Sequence, residues 1–306
     1  MAMHNAKSKK RFVTKLTITT GVLLIFSTLL FIYLPFNLYS PGYSIQFYQT
    51  PDSADISINE GKNLSKAGLL DDAEKKFRLA LNYQPSLASG HYHLACVYLK
   101  KGNIKEAIRE YQRTIALDPE SHHSFYQLGM IFTKKKEYQS AVSSFLRCIG
   151  SKPDFIDAYI KLGHLFTETG NLSDAVKTYQ DALKVDKNRA DLHVFLSVSY
   201  FKQKKFDLAE KALNKALEIS PQSVYAYDNL GALYAFQGKH YLAIKMFERA
   251  IKLDSDYIPS LKNYARLSSD LGNLKKAEEL LRHLIEIEPA EENQALLKEV
   301  LRKKGE

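Results

Sequence analysis

The chain has 306 residues, 45% of them hydrophobic and 25% charged, which leaves ample material for a buried core. Its net charge of +9 is unevenly placed: Lys7, Lys9, Lys10, Arg11 and Lys15 fall in a leading stretch without acids, so the remainder is close to balance and lacks the basic excess of a nucleic-acid-binding body. Two cysteines, Cys96 and Cys148, exclude a disulfide framework and read as small buried hydrophobes.

Behind the basic tail of residues 1–15, residues 16–34 read LTITTGVLLIFSTLLFIYL without a charge. Nineteen helical residues rise ~28 Å, close to the ~30 Å hydrocarbon thickness of a bilayer, so the segment is expected to be a transmembrane helix. A cleaved signal peptide shares the basic lead-in, but this apolar run is longer than a typical signal core, and Pro35 and bulky residues stand where an A-x-A-like site would be. The positive flank predicts a cytoplasmic N-terminus with the rest of the chain across the membrane, in the periplasm if the source is bacterial. Residues 35–53, with three prolines and several aromatics, read as a linker.

From residue 54 a 34-residue period takes over. Pro85, Pro119, Pro153, Pro221 and Pro289 fall on one grid, with Lys187 and Ser255 at its other two points. Proline disfavours helix in the residue before it and so separates successive hairpins. The grid defines seven units: 54–87, 88–121, 122–155, 156–189, 190–223, 224–257 and 258–291. Position 20 of every unit is alanine, from Ala73 to Ala277, and position 8 is always small. Position 24 is large in every unit, as in Phe77, Tyr111 and Phe247, and position 11 in six of the seven; such residues are expected to fill the space between helices. Glycine at position 15 in five units marks a left-handed helix end opening a turn. Lys136 and Lys204 replace it in the other two, where that conformation would cost about 1 kcal/mol. Residues 292–306 carry an apolar stripe, Leu297, Val300 and Leu301, between an acidic start and a basic end, and read as a capping helix with a short tail.

The pattern Leu230-Gly231, Tyr234, Ala243, Phe247, Ala250-Ile251 resembles the tetratricopeptide repeat. The resemblance implies an all-α, right-handed α-solenoid of seven TPR helix hairpins with a C-terminal capping helix, preceded here by one N-terminal transmembrane helix. It further implies that the first helix of each hairpin lines a concave groove that takes a peptide or helix from a protein partner. Groove positions carried over from the family are Tyr92, His93, Cys96, Leu99, His123, Tyr126, Gln127, Met130, Ile160, His164, Val194, Val198, Phe201, Asp228, Asn229, Lys262 and Arg266. They form an apolar middle with polar ends, which suits burial of an extended segment or helix. His91 and His193 fall where Phe125, Tyr159 and Tyr227 stand in other units and read as core substitutes.

Chemistry-bearing motifs are missing from this sequence: it has no phosphate-cradling glycine loop, no H-E-x-x-H, no C-x-x-C and no nucleophile elbow. The expected function is therefore that of a membrane-tethered protein–protein interaction scaffold, with no catalysis, no cofactor, no metal, no small-molecule substrate and no nucleic acid, acting in assembly of a membrane or envelope complex. The alternatives are a targeting receptor with cytosolic repeats and a regulatory subunit of a transferase. The carboxylate clamp of chaperone-binding members is not reproduced, since the corresponding positions carry Ile58, Lys62, His93, His123 and Gln127.

Overall fold

The computed structural model describes residues 51–305, which form fifteen α-helices. They run α1 (Pro51–Lys66), α2 (Leu70–Tyr83), α3 (Ala88–Lys100), α4 (Ile104–Leu117), α5 (His122–Lys134), α6 (Tyr138–Ser151), α7 (Ile156–Glu168) and α8 (Leu172–Val185), followed by α9 (Ala190–Lys202), α10 (Phe206–Ile219), α11 (Val224–Phe236), α12 (His240–Leu253), α13 (Ile258–Asp270), α14 (Leu274–Ile287) and α15 (Glu291–Lys304). No strand occurs among the described residues. The expected transmembrane helix over 16–34 lies outside them; within them no helix is long and apolar enough to cross a membrane. Helix α1 starts at Pro51, ahead of the position at which the linker was expected to end.

Helices pair in order. The odd-numbered helices α1–α13 are the first of each hairpin and the even-numbered helices the second. Each packs on its chain neighbours, and α1–α3, α5–α7, α7–α9, α9–α11 and α11–α13 also touch across units. Second helices make no comparable contact with one another, so the array bends with the first helices on its inner face.

The alanines at position 20 have 0–1% of their surface exposed, because the backbones of a hairpin meet there. The small residue at position 8 has a different reason for its size. A Cβ built on Gly61, Gly129, Gly163 or Gly231 would lie 2.4–2.6 Å from the ring at position 24 of the same unit, Phe77, Phe145, Tyr179 or Phe247. The ring lies directly against the helix backbone. Where position 8 is Ser197 or Ala265, position 24 shrinks to Leu213 or Leu281, both fully buried. Ala95 with Tyr111 is the unit that keeps both a Cβ and a ring.

All seven intra-hairpin turns place position 15 in the left-handed region, the two lysines included: Lys136 at φ 62° and Lys204 at φ 60°. The cost of a lysine there leaves room for these turns to differ from the glycine turns, yet both close with the same bond from residue 16 back to residue 11, Glu137 N to Phe132 O and Lys205 N to Tyr200 O, each 2.9 Å. The hydrogen-bonded helix end outweighs the local strain of about 1 kcal/mol.

Between units, Asp118, Asp186 and Asp254 each accept a bond from the backbone amide two residues on, at 3.0–3.2 Å. This Asx turn explains why Lys187 and Ser255 can stand on the proline grid: the aspartate before them shapes the same bend. The last hairpin is covered by α15, whose Val300 is fully buried and whose Asn293 donates to Glu288 O at 3.0 Å.

Candidate functional site

The inner face of the first helices carries a row of half-buried side chains. Tyr92 and His93 on α3 are in contact, with ring centres 5.3 Å apart. Tyr92 reaches His123 of α5 at 6.2 Å, and His123 meets Phe155, the residue before α7, edge-on at 5.6 Å. Tyr126 closes on the same Phe155 at 5.3 Å. Further along, His164 of α7 stands edge-on to Phe195 of α9 at 4.5 Å. Phe201 then meets Phe236 of α11 at 5.2 Å. The aromatic groups thus bridge successive units instead of standing free in a channel.

Two pockets open on this face. One, of about 210 Å³, is lined by His164, Thr167, Glu168, Tyr179, Phe195 and Val198. The next, of about 120 Å³, is lined by Val198, Phe201, Asn229 and Ala232 with Ser197, Ala209 and Leu233. Val198 is shared, so the pockets adjoin across α9. Both are walled mainly by carbon, which favours apolar side chains of an incoming segment. In the first, His164 Nε2 is buried and has no hydrogen-bond partner among the described residues. Burial pushes the His164 ring down from its ordinary value, so it stays neutral at pH 7. A neutral imidazole offers a donor on one nitrogen and an acceptor on the other.

The sequence-predicted groove residues do not all reach the groove. Tyr92, His93, Cys96, Leu99, Tyr126, Gln127, Met130, Ile160, His164, Val198, Phe201 and Asn229 are half-buried on the inner helices, and His123 is exposed. Val194 is buried in the packing between α9 and its neighbours. Asp228 is also buried; its Oδ1 accepts from Ser260 Oγ at 2.9 Å and Asn263 Nδ2 at 3.3 Å, so it joins units six and seven and is not a groove contact. Burial raises its carboxyl, and the two hydrogen bonds oppose that rise. Lys262 reaches Glu292 of α15 at 2.9 Å and Arg266 the same carboxylate at 3.9 Å. The capping helix therefore occupies the polar end that the sequence assigned to a partner. The reason in each case is neighbouring-unit contact, which the repeat period cannot express.

Several groups were missed. Phe155 and Tyr179 line the inner face although neither was carried over as a groove position, and Phe195 joins them at the repeat position shared with His93, Gln127 and Asn229; an aromatic at the last position of unit three was the available signal for Phe155. His91 is buried as expected, but it is no simple aromatic substitute: Nδ1 lies 2.6 Å from Glu110 Oε2 and Nε2 3.0 Å from Pro85 O. Glu110, 6% exposed, also meets Arg113 at 2.7 Å. A polar cleft of about 490 Å³ on the outer face has these groups on its wall, where they are already partnered with one another. Both cysteines are free, and burial pushes the Cys148 thiol up to about 11. Among the described residues, no group of three or more His, Cys, Asp or Glu could hold a metal.

The family description tetratricopeptide repeat matches this chain at residues 88–121, 122–155, 156–189, 188–256 and 234–301, together well over half of it. The chain is a tetratricopeptide-repeat protein. It is similar in fold to a tetratricopeptide-repeat protein from Parabacteroides merdae, at 16% identity and a TM-score of 0.63, covering 82% of this chain and 99% of that one. PilW, described as a widely conserved type IV pilus biogenesis factor, aligns at 20% identity and a TM-score of 0.58, covering 70% of this chain and 98% of that one. YrrB, described as a repeat protein with an unusual peptide-binding site, aligns at 19% identity and a TM-score of 0.50, over 61% and 96%. No curated protein matches the sequence. This fold serves protein interaction, and no catalytic family is indicated.

Proposed function

We propose that this repeat array is a membrane-tethered scaffold that recruits a protein segment along the inner face of α5, α7, α9 and α11, in assembly of a membrane or envelope complex. The observation that carries the reading is the pair of adjoining apolar pockets sharing Val198, continued by the inner-face aromatics. An extended peptide or one helix face would set two apolar side chains into these pockets and a polar group against His164. The similar structures include one described as peptide-binding and one as a pilus biogenesis factor, which agrees with such a role and is said of those proteins alone. The tether rests on the charge-free run of residues 16–34 behind a basic flank, which also favours a cytoplasmic N-terminus and repeats on the far side.

The test places a photo-crosslinker at Val198 in the full chain in native membranes, with one at exposed Leu146 on the outer face as control. A partner crosslinked from Val198 alone, and lost when Ala232→Glu puts a charge in the neighbouring pocket, supports the groove. A partner captured equally from Leu146 refutes it. Protease protection in sealed membranes addresses the tether separately.

A further inference from the structure

The two edges of the array carry opposite charge. In the seven intra-hairpin turns, 66–71 and its equivalents through 270–275, lysine outnumbers Asp and Glu twelve to five. In the seven segments that follow each second helix, 84–89 through 288–293, eleven acids face three bases. The turns form a continuous edge. Lys101 of one turn reaches Asp71 of the turn before at 2.7 Å, Lys202 reaches Thr167 O at 3.4 Å, and Phe236 packs on Phe206 at 5.2 Å.

Helix dipoles do not demand this asymmetry. Each hairpin sets one helix start and one helix end at each edge, so the dipoles cancel. Five of the seven second helices, α2, α4, α6, α10 and α14, have no basic residue in their last turn. The acids of this edge lie in the segments between units, and several are already engaged: Asp118, Asp186 and Asp254 by their own loops, Asp191 by Arg189, Glu292 by Lys262.

The basic edge is the opposite. Lys105, Lys134, Lys136, Lys204 and Lys205 are exposed and have no acidic partner within the described residues. Two of them, Lys136 and Lys204, hold the left-handed conformation that glycine takes in the other five turns. The chain accepts backbone strain there to set a cation at a turn tip. Large aromatics stand among the lysines, with Tyr241 78% exposed, Phe236 64% and Tyr138 42%. Unpaired lysines with interleaved amphipathic aromatics have the chemistry of a surface lying against lipid headgroups.

We infer that the turn edge of the repeat array docks on an anionic lipid surface, lysines on the headgroup phosphates and Phe236, Tyr241 and Tyr138 at the interface. A distributed row fits a sheet of many anions better than one acidic peptide, which would need a cleft. The other edge of a second copy is less suited, because so many of its carboxylates are already engaged. The lysines that carry the inference stand outside the groove, and Phe236, which packs on Phe201 of the inner face, is the residue where edge and groove adjoin.

The test measures backbone hydrogen exchange of the full chain with vesicles of phosphatidylcholine alone or mixed with phosphatidylglycerol. Turns 134–139, 202–207 and 236–241 are expected to gain protection only with the anionic lipid. The gain should vanish at ~1 M salt, where the screening length falls to about 3 Å. Each lysine removed should weaken docking about fivefold. Lys136→Gly with Lys204→Gly is the decisive variant, since it relieves strain while removing two charges. Melting should rise while docking falls about twenty-five-fold. Lys136→Arg with Lys204→Arg should keep docking. Equal exchange in both vesicle types would overturn the inference. So would unchanged docking in the glycine variant, or protection that grows with protein concentration in neutral vesicles and appears on both edges, the mark of a second copy.

Discussion

At the scale of single residues, the tight site is the meeting of position 8 with position 24. In Gly163 a Cβ would stand 2.4 Å from the Tyr179 ring, whose side chain is almost wholly buried. Gly163→Ala gains about 1 kcal/mol of helix propensity and loses more to overpacking, for a net loss of about 1–2 kcal/mol. Calorimetric melting should show that loss. Adding Tyr179→Leu should recover much of it, because the chain itself pairs Ala265 with Leu281. An unchanged or deeper loss in the double variant would mean that ring size is not the cause. Asp228 gives a second prediction. Its carboxyl is raised by burial, so the folded state holds this proton more tightly than the unfolded chain does. That group's contribution to stability therefore rises as pH falls through the raised value, and at neutral pH the buried charge costs stability. Asp228→Asn keeps an oxygen for Ser260 and Asn263 without the charge. It should raise the melting temperature at neutral pH and leave it little changed in acid; the reverse order would refute the assignment.

At the scale of elements, the capping helix is the part with a double duty. Burying Val300 against the last hairpin stabilises it by about 1.5–3 kcal/mol, and Glu292 holds Lys262 and Arg266 across the groove's end. Val300→Asp should release α15. Repeat arrays couple each unit to its neighbours only, so the damage should stay local. Hydrogen exchange is expected to rise throughout α15 and on the face of α14 beneath it, with α3 to α8 unaffected. Loss of protection along the whole array would show that the units fold as a single cooperative block. The sequence foresaw a cap from the stripe Leu297, Val300 and Leu301, but its reach into the groove depends on a contact between residues 30 apart, Lys262 and Glu292.

At the scale of the whole array, acid should be its weakness. Burial, with Lys62 nearby, pushes His93 down to about 4, and burial likewise lowers His122, His164 and His193. Each group binds its proton more readily in the unfolded chain, whose ordinary value is 6.5. The stability they contribute is full above 6.5 and is lost as pH falls below it, for His93 as pH falls towards 4. Denaturant midpoints measured between those values should decline steadily, and His93→Phe should flatten the decline. A midpoint independent of pH across that interval would contradict the lowered values of these half-buried rings.

Period and residue size, both written in the sequence, determined the hairpins, their turns, the alanine seam and the capping helix. Hairpins, turns and seam depend on contacts within one unit and the cap on the hairpin just before it, where spacing along the chain maps directly onto spacing in space. The left-handed turns at Lys136 and Lys204 show how firmly that local frame rules, since glycine was not required to form them. The tertiary structure alone decided which inner-face residues are available. Asp228 and Val194 went into joints, Lys262 and Arg266 went to the cap, and Phe155 came forward to line the face. Each outcome depends on how far one unit is displaced on the next. That displacement is set by side-chain packing between units, which a 34-residue period, blind to its neighbours, does not encode.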